Sequence, residues 1–520
     1  MNAPVSVPVE RLSQSAPYVD DPLSQYRTLC PSPSHTMLLE SAEIDSKDHL
    51  KSLIMVKAAL QIRCDENGIH YRALSANGEA LLPAIAKQFA QFEPTLDADG
   101  LTLNFPKADT SLDEDARLKA TSPLDGLRQL LDLLVLDEAH RDSLFLGGAL
   151  GYDLIEHVEP LPTVPNGDNP CPDYLFYLAE VLLTVDHQSG VSELIGLVMD
   201  GNDQAREQVA AEMSQAHKRL RELQQSSVVP ASLVTIEQQA QENISDADFR
   251  DCVNGLKEHI VAGDIFQVVP SRSFSLPCPN PLGAYQALRV SNPSPYMFYL
   301  QSDDFSLFGA SPESALKYDK ASNQVEVYPI AGTRIRGKDA QGNIDADLDS
   351  RIELELRLDQ KELAEHLMLV DLARNDVARI SQAGTRKVAE LLKVDRYSHV
   401  MHLVSRVTGQ LRDDLDALHA YQACMNMGTL VGAPKIRAAQ LVREVEGARR
   451  GSYGGAVGYV NGRGDMDTCI VIRSAMVHQG QAHVQAGAGV VYDSDPQSEA
   501  DETRNKAQAV INAIRAGGGQ

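Results

Sequence analysis

The chain has 520 residues, 43% hydrophobic and 23% charged, the composition of a soluble globular protein too long for one ordinary core. Its 47 basic against 72 acidic side chains give a net charge of −25 and argue against nucleic acid or an anionic membrane as partner. No apolar run reaches the ~18 residues of a spanning helix, MNAPVSVPVERL lacks the basic start and apolar stretch of a signal peptide, and seven scattered cysteines without a Cys-x-x-Cys read as reduced, buried thiols. A cytoplasmic enzyme is expected.

Along the chain, LTLNF and LIGLVM read as strands and PLDGLRQLLDLLVL as a helix, so residues 15–200 form a first lobe. Residues 201–244 are polar, rich in Gln, Ala and Ser, and read as a long exposed helix followed by a linker. A third unit, 245–515, opens on a helix capped by Ser245 with Asp248 three positions on. Phe249, Val253, Leu256 and Ile260 follow at helical spacing, and Gly263 ends it. DIFQVVPS, FSLFGAS and QVEVYPIAGT read as strands and predict antiparallel pairing, whereas DQKELAEHLMLVDLARND has the periodicity of an amphipathic helix. No repeat occurs at solenoid periods, and the order of elements predicts an α+β fold rather than a doubly wound sheet.

Several stretches can carry chemistry. In KELAEHLMLVD, Glu362 and Glu365 are three apart and share a helix face. In SEADETRNK, Ser498 reads as a cap with Asp501 as its capping-box acid, leaving Glu499 and Glu502 on one face and Lys506 a turn beyond. Two such pairs facing across a cleft suit a hard cation such as magnesium; each pair alone is more often a solvated helix face. In QAGAGVV, Gly487 and Gly489 can bring bare backbone N–H groups to an anion, or simply form a tight turn. Arg473 interrupts the apolar strand IVIRSA and needs a buried anionic partner or an open cleft. Tyr453 lies in the glycine-rich RRGSYGGAVGY, and His402 lies on the apolar VMHLVSRV, where a hydrogen-bonded core histidine is the commoner explanation.

Taken in order, IFQVVPSR, FGASPES, YPIAGTR, KELAEHLMLVDLARND, MNMGTLVGAPK, GSYGGAVGY and QAGAGVV…SEADETRNKA resemble the chorismate-utilising enzymes, and among these the large subunits (component I) of anthranilate synthases. The likeness runs almost continuously from LLESAEID to Ala507 and is weakest over 1–35 and 200–240. It implies a two-lobed antiparallel β-sandwich with helices on the outside and an active site in the cleft between lobes. It implies Glu365 and Glu502 as Mg2+ ligands, with Glu362 and Glu499 behind them. Arg473 and Tyr453 match contacts to the pyruvyl arm of chorismate; Gly332, Thr333, Thr429 and the backbone of Gly487, Ala488 and Gly489 match its surroundings. Glu313 matches the acid that protonates the departing C4 hydroxyl, and His402 a residue of the later pyruvate loss, with Gln267 and Lys506 completing the catalytic set.

Two positions choose among the family's reactions. Relatives that add water at C2 carry a lysine base where this chain has Gln267, and aminodeoxychorismate synthases use a lysine nucleophile where this chain has Ala331. The resemblance therefore implies amination of chorismate at C2 and elimination of pyruvate to give anthranilate, the first step of tryptophan synthesis. The chain has no Gly-x-Cys-x-Gly segment for glutamine hydrolysis, so ammonia is expected from a glutamine amidotransferase subunit (component II), in a heterotetramer of two large and two small subunits. LLESAEIDSKDHLK and NPSPYM resemble the family's tryptophan feedback pocket, in which Glu40, Ser41 and Lys51 meet Pro295, Tyr296, Met297 and Cys469. Val431 and Ile335 depart from the family's commoner serine and proline without touching a catalytic group. A non-catalytic tryptophan-sensing subunit is the alternative from another class; the intact charged set Glu313, Glu362, Glu365, Arg473, Glu499, Glu502 and Lys506 argues against it.

Overall fold

The computed structural model describes residues 5–41, 50–97, 100–106, 109, 111–226, 233–339, 341–397 and 400–519. The stretch 42–49 of LLESAEIDSKDHLK lies outside the described residues. Two long strands, Lys51–Asp65 and Tyr174–Asp186, pair antiparallel from Lys51↔Asp186 to Cys64↔Tyr174, with register shifts between Met55 and Leu60. Each divides its outer edge between two partners. Lys51–Asp65 takes Thr36–Glu40 on its first part and Gly68–Ala73 on its last. Tyr174–Asp186 takes Phe145–Leu150 at its start and Val191–Met199 at its end.

The mixed class of helices and antiparallel strands is as expected, but the two halves of the chain do not own separate sheets. Among the described residues, 23 strands form one hydrogen-bonded set. Two seams join the halves: Thr36–Glu40 pairs with Tyr296–Gln301, and Phe145–Leu150 pairs with Ala456–Asn461. FLGGAL at Phe145–Leu150 is buried at every position. A strand with no polar alternation has no face to offer solvent, so it is driven into the middle of a sheet.

Local differences from the sequence reading have identifiable causes. Asp203–Gln225 is the expected helix of the 201–244 stretch and most of its positions are exposed, but along one face Ala205, Val209, Met213, Ala216 and Leu220 form a buried stripe packed toward Val191–Met199. The chain that follows is tied to the C-terminal helix, the Ile236 N–H donating to Arg515 C=O at 2.7 Å. Asp246–Ala262 begins and ends as its sequence predicts, with Ser245 Oγ accepting the Asp248 N–H at 3.2 Å and Gly263 at φ 83°. DIFQVVPS is two strands, Gln267–Val268 and Ser271–Pro277, broken at Pro270, which has no N–H for a ladder. Arg473 does not interrupt a strand; it sits at φ 50° in the gap between Met466–Ile470 and Ser474–His478. All seven cysteines are free and five are buried. Among the described residues no helix is long and apolar enough to cross a membrane.

The acidic helix runs Pro496–Gly517 and its cap is Asp495, not Ser498. Asp495 Oδ1 accepts the Ser498 N–H at 2.9 Å, and Pro496 occupies the first turn, where its missing N–H costs nothing. Asp501 accepts from Gln497 Nε2 at 3.0 Å instead of closing a capping box. Asp495→Ala is expected to lower stability by about 1 kcal/mol, and Ser498→Ala by much less, in denaturant unfolding; equal losses would return the cap to Ser498.

Candidate active site

A cleft of ≈ 730 Å³ opens in the second half of the chain, lined only by residues between Gln267 and Lys506. Among the described residues the first half supports it through the seams but contributes no lining side chain, so the cleft they form does not lie between the two sequence lobes. One wall is the strand Ile330–Ile335, which carries Ala331, Gly332 and Thr333, with Thr333 paired to His402 on Val400–Gln410. Gly332 is at φ +74°, and a Cβ there would lie 2.9 Å from Leu356 and 3.2 Å from the Glu362 carboxylate, so the position needs glycine on both counts. Glu313, Thr429, Tyr453 and Arg473 line the interior. Gln267, Gly487 and Gly489 form the opposite side, and two helices, Gln360–Ile380 and Pro496–Gly517, bring the four glutamates to the rim.

Burial sets the protonation of the interior groups. Glu313 is 6% exposed and its carboxyl is pushed up to about 8, by loss of solvent first, against the pull of Thr429, Lys506 and Arg473. Thr429 Oγ1 donates to its Oε1 at 3.0 Å. Near neutral pH Glu313 therefore holds a proton, as a general acid must. His402 moves the opposite way, down to about 4, through burial and then the Arg473 charge; its Nδ1 lies 2.9 Å from Thr333 Oγ1. It is a neutral imidazole. Arg473 is depressed by burial, and its guanidinium has no hydrogen bond or ion pair among the described residues, which leaves a cation free for an anionic ligand. Gln267 is 5% exposed, and its amide oxygen has no hydrogen-bond partner.

The rim carboxylates share one space. Burial raises Glu365 to about 7 against Lys361, with Glu362, Glu502 and Glu499 adding like charge. Glu499 is raised for the same first reason. Glu362 accepts from Arg334 Nη1 at 2.9 Å, Glu502 pairs with Lys506 at 2.5 Å, and Glu365 lies 4.0 Å from Lys361. These four do not form a group with ligand atoms within 4.8 Å of one another; the group that does is Cys64, His157 and Asp173. There Asp173 is already paired with His157 at 2.8 Å and with Arg449, so that cluster reads as a structural ion pair beside a buried thiol. As a donor set, the rim glutamates fit Mg2+. They are hard oxygens, and the two that burial pushes up, Glu365 and Glu499, are pressed further by neighbouring carboxylates, a like-charge repulsion that a bound cation would relieve.

Other expected positions fall as follows. Gly487 and Gly489 reach the cleft, and a Cβ on Gly489 would meet Gln267 Nε2 at 2.8 Å. Ala488 does not reach the cleft: it is buried and its N–H donates to Pro270 C=O at 3.1 Å. Lys506 Nζ donates to Gly487 C=O at 3.1 Å. Away from the cleft, Glu40 lies opposite Met297 in the seam, with Ser41, Pro295 and Tyr296 beside them; the Ser41 N–H donates to Lys51 C=O at 3.4 Å, and Cys469 lies near Tyr296. The Glu40 carboxylate is not free there, since Tyr285 Oη and Arg289 both donate to it. Lys361 and Asn505 line the cleft without a role expected from the sequence, and Arg334, next to Thr333, holds Glu362.

A profile of chorismate binding enzymes matches residues 92–512. The anthranilate synthase component 1 of Vibrio cholerae is 59% identical over 99% of this chain and 98% of its own length, and that of Escherichia coli is 55% identical over 97% of each. The crystal structure of anthranilate synthase component I from Streptococcus pneumoniae superposes with a TM-score of 0.69 at 28% identity, covering 90% of this chain and 94% of that one. The menaquinone-specific isochorismate synthase of Escherichia coli shares the fold, with a TM-score of 0.67 at 17% identity over 99% and 96% of the two chains.

The buried acid makes stability pH-dependent in a defined sense. Because folding raises the Glu313 value from the usual 4.5 to about 8, the folded chain holds this proton more tightly. The associated stability is complete below pH ~4.5 and is lost as pH rises through ~8. Glu313→Gln, which cannot ionise, should therefore gain on the parent by on the order of 1–4 kcal/mol between pH 5 and 9 in thermal or denaturant unfolding. A difference that does not change with pH would mean that Glu313 ionises freely.

Proposed function

The chain belongs to the chorismate-binding enzymes and, within them, to the anthranilate synthase component I family, and we propose that it is the subunit that aminates chorismate at C2 and releases pyruvate to give anthranilate. The observation that carries this reading is the placement of three groups in one cleft: Glu313 holding a proton, Arg473 without a protein partner, and Gln267 with an unused amide oxygen. Arg473, with Tyr453, suits the carboxylate of the pyruvyl arm. Gln267 can accept a hydrogen bond from ammonia but cannot take a proton from water, which favours amination over hydroxylation. Ala331 offers no nucleophile.

In this reading ammonia adds at C2 as the ring double bond shifts, and the C4 oxygen leaves as water after taking the Glu313 proton. Neutral His402 is then able to receive a proton during the elimination that forms pyruvate and the aromatic ring. Glu365 and Glu502 would hold Mg2+, with Glu362 and Glu499 behind them; bound there, the ion would supply Lewis-acid withdrawal of electrons through the ring carboxylate. Residues 245–515 are read as the catalytic unit, 15–200 as the lobe that carries the feedback half-site, and 201–244 as their connection. The packing of the cleft would be that of the family's sandwich. A glutamine amidotransferase partner in a cytoplasmic heterotetramer of two large and two small subunits is proposed on the family's naming as component 1 and on the absence of a glutaminase nucleophile.

Purified chain given chorismate, magnesium and ammonium at alkaline pH is expected to produce anthranilate fluorescence, and none with glutamine in place of ammonium. Glu365→Gln should lower that rate by at least ~100-fold without unfolding the chain. Failure of the parent to make anthranilate would remove the reading, and activity on glutamine by the single chain would remove the partner.

Tryptophan feedback is proposed at the seam of Glu40, Ser41, Lys51, Pro295, Tyr296, Met297 and Cys469. Glu40 acts there as a structural anchor, because its carboxylate is engaged by Tyr285 and Arg289. A ligand wedged between Thr36–Glu40 and Tyr296–Gln301 presses on the joint between halves, and chorismate must weaken its binding by the same factor. Ser41→Phe is expected to keep making anthranilate while losing tryptophan inhibition; unchanged sensitivity would move the pocket elsewhere.

A further inference from the structure

Behind the cleft lies a buried charge that the chemistry above does not use. Arg450 is 2% exposed and does not line the cleft. Its guanidinium donates from Nε to Glu446 Oε2 at 2.8 Å and from Nη2 to Glu446 Oε1 at 2.6 Å, a planar fork-to-fork pair. The remaining contacts reach three other segments. Nη1 donates to Leu430 C=O at 2.8 Å, and Nη2 donates to Val269 C=O at 2.7 Å. The plane stacks 4.6 Å from the Tyr152 ring and 5.4 Å from the Tyr453 ring. Glu446 in turn accepts from Ser271 N–H at 2.8 Å and Ser271 Oγ at 2.7 Å, and Ser271 is the strand partner of Gly487.

Apart from Glu446 and Tyr152, the residues it touches lie in or beside the cleft lining. Val269 follows Gln267, Leu430 follows Thr429, Thr429 donates to Glu313, and Tyr453 is itself a lining residue. One planar cation thus fixes the distance between the amide side of the cleft and the acid side. Burying a charge costs several kcal/mol that a well-packed apolar residue avoids, so stability alone gives little reason to retain it. What a guanidinium supplies and an apolar side chain cannot is several donors held at fixed angles to separate backbones. A lysine ammonium offers a point charge and would leave at least one of the two carbonyls unpaired.

We infer that Arg450, held by Glu446, is a positioning residue that sets Gln267, Thr429–Glu313 and Tyr453 in register for attack at one end of the substrate and proton delivery at the other. The inference rests on the amination reading above. Its effect falls on turnover more than on substrate binding, because Arg473 and the rim glutamates keep their own supports.

The test compares the parent with Arg450→Lys and Arg450→Ala, following ammonium-dependent anthranilate formation, equilibrium binding of chorismate and thermal unfolding. Arg450→Lys is expected to lower kcat by ~10- to 100-fold, the size of a sub-ångström to ångström misplacement, while its chorismate Kd changes by less than ~3-fold. Adding millimolar ethylguanidinium should restore part of the activity of Arg450→Ala, whereas ethylammonium, of equal charge, should not. Parent chain that makes no anthranilate defeats the amination reading and not this geometry. Active parent with folded Arg450→Lys at parental kcat overturns the inference, as does a loss of kcat matched by an equal loss of chorismate affinity. If Arg450→Lys does not fold, Arg450→Ala decides: failure of ethylguanidinium to raise its rate above that with ethylammonium overturns the inference.

Discussion

The pairing of Thr36–Glu40 with Tyr296–Gln301 and of Phe145–Leu150 with Ala456–Asn461 governs the rest of the molecule. Among the described residues none before Gln267 lines the cleft, yet its wall strands belong to the same hydrogen-bonded set as those seams. Backbone ladders are stiff because each broken pair would leave buried N–H and C=O groups without partners. The walls of the cleft therefore cannot move independently of the first half of the chain. A second set of ties acts at the same boundary. Arg443 and Arg449 reach Asp153, Glu156 and Asp173, and the Gly451 N–H donates to Asp153 at 2.7 Å, just ahead of Tyr453. A ligand that changes the relation of the halves thus has a direct mechanical route to the chemistry, with no need of a long chain of side-chain contacts.

What the sequence makes legible is local. The cap at Ser245, the stop at Gly263 and the helix of Gln360–Ile380 follow from side-chain type and spacing over a few residues, and the structure has them where those rules put them. The glutamate pairs also follow, since a three-residue interval on a helix fixes a shared face whatever the tertiary setting. The acidic helix shows the limit. DPQSEAD offers two overlapping cap patterns, and the proline between them decides for Asp495, a preference that a search for Ser-x-x-Asp alone overlooks. The buried stripe on Asp203–Gln225 is hidden for another reason: its alanines and single methionine carry little hydrophobic weight against the Gln and Glu around them.

The seams are not legible, because they join strands far apart in the chain and edge pairing has no signature beyond unbroken apolar runs such as FLGGAL. Nor is the commitment of backbone groups. Gly487, Ala488 and Gly489 are equivalent as a motif, but only the ladder reveals that the Ala488 N–H is spent on Pro270. Glu40 is similar: its place in LLES marks it as a polar group at a strand end, while its engagement by Tyr285 and Arg289 depends on a helix from the other half. In each case the residue is correctly singled out and its hydrogen-bonding capacity is not, since capacity belongs to the partner.

The distribution of charge in the cleft gives a final constraint on what it can hold. The same loss of solvent pushes Glu313 up and His402 down, so both interior titrating groups are neutral near pH 7. The interior is then left with Arg473 as a fixed positive charge, while the rim carries four carboxylates against Arg334, Lys361 and Lys506. A molecule that fits this field has an anionic group for Arg473, and at the other end it meets carboxylates that repel a second anion unless a cation stands between them. Between those ends the wall is close to neutral, so it neither repels an anionic ligand nor traps a stray cation. An ionised Glu313 would do the latter and would have no proton to donate. Burial of Glu313 therefore serves binding and chemistry together. It keeps Glu313 protonated in the same cleft as Gln267, whose uncharged amide oxygen has no hydrogen-bond partner.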